Sequence, residues 1–233
     1  DFGGNLLSVN GTVVTASIER DSTTRIIPPK VLLQSGSIVS STLYFRVNTT
    51  EYFVVANLFD GTTYSLNSTL YVWDATAQVI NKVQQIPTQG AEHLTHFVQG
   101  GQHYVIVANG FEVVTIWRGQ IEGTYNTLSK VYRLDVSTGL LVFVASIPTH
   151  GVKAIETMQI AGTTMIVVAN NFNDNSTLVN SVLYRFNPDA NASNPYIVEI
   201  QQLPTTAAAL FHYFKGTQGE DLVIAALYYD SIA

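Results

Sequence analysis

Short apolar runs rich in β-branched and aromatic residues follow one another along the chain, broken about every 8–12 residues by Gly, Asn, Thr or Pro. No segment keeps a 3.6-residue period with caps at both ends, so helix content is predicted to be very low. The pattern is that of an all-β chain. Its runs also repeat. Val54-Val55-Ala56-Asn57, Ile106-Val107-Ala108-Asn109, Val167-Val168-Ala169-Asn170 and the divergent Ile224-Ala225-Ala226-Leu227 are each followed by an aromatic: Phe59, Phe111, Phe172 and Tyr228-Tyr229. A second marker is Leu70-Tyr71-Val72-Trp73, Val131-Tyr132-Arg133-Leu134 and Leu183-Tyr184-Arg185-Phe186. The third is Ile86-Pro87-Thr88, Ile147-Pro148-Thr149 and Leu203-Pro204-Thr205, whose prolines stand 61 and 56 residues apart. The markers keep one order, and the unit length is in the range of about 40–60 residues that suits propeller blades.

Each unit reads as four short strands. In the second they are expected near 93–99, 103–109, 129–135 and 140–147, and in the third near 155–161, 165–172, 181–187 and 196–203. The fourth unit holds two strands, while Asn5–Asn10 aligns with the Tyr71 and Tyr184 marker, and Val13–Arg20 with Arg25-Ile26-Ile27-Pro28 aligns with the strand before each Ile-Pro-Thr. The expected fold is one β-propeller domain of four four-stranded blades, closed by pairing of N- and C-terminal strands, which leaves no open edge. Its units are 38–87, 93–148, 154–204, and 209–233 completed by 5–28.

The phrases Tyr52-Phe53-Val54-Val55-Ala56-Asn57, Gln85-Ile86-Pro87-Thr88-Gln89-Gly90-Ala91 with Phe97 beyond, and Leu183-Tyr184-Arg185-Phe186 resemble the epilepsy-associated repeat (EAR, or EPTP) of extracellular adhesion and secreted proteins. The resemblance covers essentially the whole chain as four tandem copies. It implies a β-propeller that binds partners outside the cell without catalysis. The chain departs from the family in blade number, usually seven, and in longer strand connections.

Charge narrows the partners. Only 12% of residues are charged, against about 25% in an average globular chain. The 17 acidic and 11 basic residues leave a net charge of −6 without a basic stripe, which argues against nucleic acid. Zero cysteines exclude disulfides, thiolate metal sites and cysteine nucleophiles. No apolar stretch approaches the roughly 18 residues of a membrane span, and Asp1 in place of an initiator methionine reads as a processed chain or an excised fragment.

Sequons at Asn10, Asn48, Asn67, Asn175 and Asn191 lie in or beside expected turns and point to an extracellular, secreted glycoprotein. The repeated Asn57, Asn109 and Asn170 are assigned to the scaffold, satisfying backbone groups at strand ends. Aligning inner strands puts Tyr44, His96, Thr157 and His212 at one level beside Glu156, so that His96 and His212 are candidates for an axial ion site in a four-bladed ring. His93 and His96, three apart on a strand, cannot chelate together. With neither a GxSxG elbow nor a phosphate loop, and no matched acidic pair, the chain is read as a non-enzyme with no certain cofactor.

A surface poor in charge but 11% aromatic suggests association with a like or related EAR-type subunit, as homo- or heterodimer. The expected contact rim is formed by the loops Thr88–His93, Thr149–Ala154, Thr205–Leu210 and Pro28–Gly36, with Gln89, His93, His150 and Lys153 as partner residues. One alternative is a carrier of an apolar chromophore such as a carotenoid-like polyene, held in a groove between subunits lined by Tyr44, Phe45, Phe211 and Tyr213. The other is a lectin using Trp73 and Trp117 as platforms for a glycan.

Overall fold

A computed structural model describes residues 8–9, 12–14, 31–34, 36–117, 120–190 and 195–228. Every regular element among them is a strand. Near the N-terminus β1 (Ser8–Val9), β2 (Thr12–Val14) and β3 (Val31–Gln34) form one antiparallel sheet. Then come three four-stranded antiparallel sheets, each with its strands side by side in chain order. The first is β4 (Ile38–Val47), β5 (Thr50–Phe59), β6 (Ser65–Asp74) and β7 (Val79–Gln89). The second takes β8 (Ala91–Gln99) and β9 (Gln102–Asn109), then leaves the sheet for a hairpin, β10 (Glu112–Trp117) and β11 (Gln120–Thr124), and returns through β12 (Asn126–Asp135) and β13 (Leu140–His150). The third is β14 (Ala154–Ile160), β15 (Thr163–Ala169), β16 (Ser181–Phe186) and β17 (Ile197–Leu203). Last is the pair β18 (Ala208–Lys215) and β19 (Asp221–Leu227).

These are propeller blades. The first strands of successive sheets pack side by side, β4 on β8, β8 on β14 and β14 on β18. Alternation along each inner pair sends one face to the preceding blade and the other to the next. Leu94, Val105 and Val107 thus share a core with Phe45, Val54 and Leu70 of the first blade. Phe97, Tyr104 and Ile106 turn the other way, onto Ile155, Val168 and Phe186 of the third. Phe211 joins Met158 and Val167 between the third blade and β18. The second sequence marker also has a physical meaning. Register shifts between the third and fourth strands fall at Leu70/Tyr71, Val131/Tyr132 and Leu183/Tyr184, where the fourth strand carries one extra residue, Val83, Val144 and Ile200, so each marker tyrosine sits opposite a β-bulge that sharpens the twist of its blade.

The other two markers meet in one buried polar relay. In the second blade the Asn109 backbone N–H donates to Ser129 Oγ at 3.1 Å, and Ser129 Oγ lies 3.0 Å from Thr149 Oγ1. Asn109 Nδ2 donates to the Leu128 carbonyl at 2.8 Å, while its Oδ1 accepts from the backbone N–H of Gln89, the end of the preceding blade, at 3.1 Å. Asn170 repeats this with Ser181, Thr205, the Asn180 carbonyl and the His150 N–H. Asn57 uses Ser68, Thr88 and the Asn67 carbonyl, its Oδ1 accepting from Ser37 Oγ. The asparagines are scaffold residues, as the sequence pattern implies, and two of them also fasten one blade to the next.

Between fourth and first strands the chain turns on a single left-handed residue: Gly90 (φ 52°), Gly151 (φ 50°) and Ala207 (φ 47°). A Cβ on Gly151 would stand 2.7 Å from the Phe172 carbonyl oxygen. The corner N–H groups donate to the carbonyls of Tyr64, Tyr125 and Thr177 at 2.7, 2.7 and 2.8 Å.

Strands expected in the second and third units lie within a few residues of those found. The second strand of the third unit ends at Ala169, three residues short of the expected 172. The β10–β11 hairpin is an addition to the expected pattern. Pro28–Gly36, expected as a rim loop, contains strand β3. Of the strands expected to close the ring, β1 and β2 pair with each other and with β3, and β19 pairs with β18. The described residues do not join the two termini in one sheet, and the rest of 5–28 lies outside them.

Two substitutions at the junctions have opposite expected effects. Asn109→Leu strands the buried Gln89 N–H and Leu128 carbonyl, and lowers unfolding free energy by about 2–4 kcal/mol. Ala207→Gly relieves a left-handed non-glycine residue, worth roughly 1–2 kcal/mol before the added entropy of a glycine, and raises it by about 0.5–1 kcal/mol. Urea unfolding of the three proteins checks both signs.

Candidate functional site

The tight crossings and the connections between second and third strands lie on the same side of the blades, since Gly90 abuts Phe111 and Gly151 abuts both Phe172 and Tyr125. Each connection begins soon after the relay asparagine, and that position fixes an aromatic residue. Phe59, Phe111 and Phe172 come from the three copies, with Tyr64 and Tyr125 at the return of the first two connections. The rings form one continuous arc: Phe59 to Tyr64 at 4.5 Å, Tyr64 to Phe111 at 4.9 Å, Phe111 to Tyr125 at 4.9 Å and Tyr125 to Phe172 at 5.0 Å between centroids. The first contact is stacked, the second tilted and the last two are edge-on, geometries favourable for aromatic pairs. Composition hinted at an aromatic surface, but the arc needs the loops to be placed.

Hydrogen bonds lock the loops around it. Asp174, itself left-handed at φ 75°, accepts from Thr124 Oγ1 at 2.6 Å, from the Tyr125 N–H at 2.6 Å and from Asn126 Nδ2 at 2.6 Å. The Thr124 hydroxyl, with these other donors, holds its carboxyl below the usual carboxylate range. Asn126 Oδ1 lies 2.6 Å from His150 Nδ1. Nearer the inner strands Lys153 Nζ pairs with Glu92 Oε1 at 2.6 Å, bridging the second and third blades.

The expected rim is corrected in one respect. Gly90, Ala91, Gly151, Val152, Ala207 and Ala208 are buried, because crossings of one, three and four residues turn tightly and leave little loop to project. The exposed surface on this side belongs to the connections between second and third strands. Of the expected partner residues, Gln89 and His150 spend their backbone N–H groups on the relay, Lys153 is held by Glu92, and His93 is half-buried, its pKa lowered by burial.

His96 and His212 are not brought together. His96 stacks on Phe45 at 4.5 Å and lies 3.0 Å from His103 through Nε2 and Nδ1. It therefore faces the first blade. Tyr213, and not His212, is level with Tyr44, His96 and Thr157, since His96, Thr157 and Tyr213 are each the sixth residue after the corners Gly90, Gly151 and Ala207. The pKa of Glu156 is raised by burial, against the pull of His212 and of the Tyr213 backbone. No group of three or more His, Cys, Asp or Glu able to hold a metal ion occurs among the described residues.

The four aromatics assigned to a groove between subunits have different surroundings within the chain. Phe45 and Phe211 are buried in separate cores, Tyr44 is exposed beside Phe53, and Tyr213 bonds Asp221. A different groove of about 340 Å3, lined by Val144, Ala145, Tyr196 and Ile197 among others, carries no charged side chain. Trp73 is half-buried on β6, and the side chain of Trp117 lies outside the described residues. Among the sequons Asn48, Asn67 and Asn175 are exposed, whereas Asn10 and Asn191 lie outside the described residues.

Residues 81–135 match the EPTP domain. The chain is 28% identical over 231 residues to the mouse thrombospondin-type laminin G domain and EAR repeat-containing protein, an alignment covering 78% of the chain and 34% of the relative. Its human counterpart is 28% identical over 141 residues, covering 60% of the chain and 20% of that protein. The chain therefore spans about a third or less of the curated relatives it matches. An exo-β-1,3-galactanase from Phanerochaete chrysosporium, solved with β-1,3-galactotriose, superposes with a TM-score of 0.50 over 94% of this chain and 48% of its own at 11% identity, a likeness of fold alone. No helix among the described residues is long and apolar enough to cross a membrane.

The half-buried histidine pair sets a pH dependence. Burial, then the neighbouring His103, holds His96 at about 4, against 6.5 for the free side chain. Between those values the unfolded chain takes up a proton that the folded one refuses, so stability present above about pH 6.5 declines as pH falls towards about 4. Thermal midpoints are expected to drop from pH 7 to pH 5, with a shallower slope in His96→Phe, whose ring keeps the stack on Phe45. An equal slope in the variant would assign the loss to other groups.

Proposed function

We propose that this EAR/EPTP-repeat chain is a secreted, non-catalytic module that binds other proteins through the side of its blades carrying the aromatic arc. The arc is the observation that carries the reading. Five contiguous rings, half-buried or exposed, line connections that propeller packing does not require, and low-charge aromatic surfaces of this kind are typical of protein contacts. The EPTP match and the EAR relatives point to the same coarse role. A non-catalytic role is supported by the engagement of the acid-base groups nearby. Glu92 is tied to Lys153, Asp174 to three donors, and His96 to His103.

Sedimentation of the purified chain across the micromolar range tests for a like subunit, and the same measurement with a related EAR chain added tests for a heterodimer. A chain that stays monomeric in both conditions overturns subunit pairing. Secretion is supported by the exposed sequons. Protein from its native source is expected to lose mass on endoglycosidase treatment, and the loss should shrink when Asn48, Asn67 and Asn175 are changed to Gln. An unshifted mass counts against a secretory origin.

Carriage of an apolar molecule is a second reading, favoured by the uncharged groove beside β13. An absorption spectrum of native protein without a visible band argues against a polyene ligand.

A further inference from the structure

We propose that Asn109-Gly110 is a self-modification site held inert by the closed junction between the first and second blades. Opening of that junction lets the Gly110 nitrogen displace ammonia from the Asn109 side chain, a one-way change around which the blade cannot close again. The inference goes beyond the binding role and does not depend on it.

Two separate packing needs set these residues side by side. The relay needs an asparagine at 109. The next position has no room for a side chain: a Cβ on Gly110 would stand 2.6 Å from Glu92 Cγ and 3.2 Å from the Val152 carbonyl oxygen, and Glu92 is itself held by Lys153. The other two relay asparagines are followed by Leu58 and Asn171. Asparagine before glycine is the pair in which the backbone nitrogen attacks the side-chain amide most readily, since no Cβ shields that nitrogen and the backbone turns freely. The sequence holds one more such pair, Asn10-Gly11, outside the described residues.

In the closed fold the groups that would have to move are all engaged. The Gly110 N–H donates to the Gly90 carbonyl at 2.9 Å, and the carbonyl of the same peptide accepts from Thr127 Oγ1, so the peptide that carries the nucleophile is pinned at both edges. The amide it must attack reaches two other strands. Nδ2 donates to the Leu128 carbonyl of β12, and Oδ1 accepts from the Gln89 N–H at the end of β7. Swinging Cγ onto the Gly110 nitrogen breaks both bonds. Asn109 is 1% exposed, so no water stands by to replace them.

Once the junction opens, the reaction needs only water. The bond from the Gly110 nitrogen to Asn109 Cγ forms, the Cγ–Nδ2 bond breaks, and ammonia leaves with the proton of that nitrogen, which gives a cyclic imide. Water adds to one imide carbonyl and a ring C–N bond breaks, leaving aspartate or isoaspartate at 109. Neither product fits the relay. An ionised aspartate only accepts hydrogen bonds, so the Leu128 carbonyl would face a second acceptor and a charge would replace a neutral amide in the interior. Isoaspartate moves a methylene from the side chain into the backbone, which displaces the acceptor that the Gln89 N–H requires. Opening is thus recorded at a single residue and is not undone.

Peptide mapping of the full chain by mass spectrometry tests the site, since the tryptic peptide of residues 83–118 holds Asn109 and no other asparagine. The chain is kept at mildly alkaline pH, in buffer and in urea above its unfolding midpoint. In urea Asn109 is expected to convert ahead of Asn57 and Asn170, and an isoaspartyl methyltransferase to label the product. In buffer conversion should be at least about a hundredfold slower, because it proceeds only through the open population. Leu94→Ala, which loosens the core between the first and second blades, should speed conversion in buffer by about tenfold or more. Chain converted in urea should refold with a lower thermal midpoint than chain passed briefly through urea, or fail to refold. The proposal is overturned if Asn109 converts as fast in buffer as in urea, if Leu94→Ala leaves the rate in buffer unchanged, or if the converted chain regains the parent midpoint. Conversion of Asn57 or Asn170 as fast as Asn109 in urea also overturns it, since Gly110 then has no special effect. None of these outcomes bears on subunit pairing, which sedimentation decides.

Discussion

The buried amide of the relay asparagine is the contact on which the rest of this structure turns. A blade edge ends in backbone groups that face the next blade with no water to satisfy them, and an orphaned buried group costs on the order of 1–3 kcal/mol. One side chain resolves this on both sides of the junction. Its Nδ2 serves a carbonyl within its own blade, and its Oδ1 takes the last N–H of the blade before. The serine and threonine hydroxyls complete the chain of donors and acceptors, and because the relay is filled it can sit in the interior without penalty. Two markers far apart in the repeat, with a serine between them, are thus parts of one device.

Fixing strand ends this way frees what lies beyond them. The crossings are reduced to between one and four residues, so the side of the propeller they occupy is shaped by connections that can lengthen without disturbing a core. The second blade's hairpin shows how much can be added there. The aromatic arc follows from the same anchoring, since an aromatic set one or two residues past a fixed asparagine arrives at a fixed place in every blade.

Most of the blade architecture was legible because strand markers and their order carry it. The strands of the second and third units, the scaffold role of Asn57, Asn109 and Asn170, and the shared side of the crossings all follow from repetition. Three things were not. The hairpin could have been found from the stretched distance between Asn109 and Ser129, but Val113, Val114 and Ile116 alone do not distinguish an extra strand from a loop. The pairing of His96 with His212 failed by one residue, because the level is set by counting from the buried corners Gly90 and Ala207, which the sequence does not mark alike, and a slip of one turns a side chain to the opposite face. The crossings were expected to be exposed because glycine and polar residues usually mark surface loops. Here Gly90 and Gly151 serve to keep a corner small enough to bury.

Leu227 stands where the other units have asparagine. The backbone half of the corner is kept there, with the Tyr228 N–H on the Ala207 carbonyl as the Gly110 N–H is on that of Gly90. The amide half is gone, and β18–β19 leans on the third blade through Phe211, Ala208 and the apolar side chains around them. Apolar contact holds surfaces together without dictating register, whereas the amide admits one alignment only. The three full blades are therefore coupled as a cooperative block, and the last hairpin is a separate opening unit whose backbone amides exchange with solvent at lower free energy than theirs.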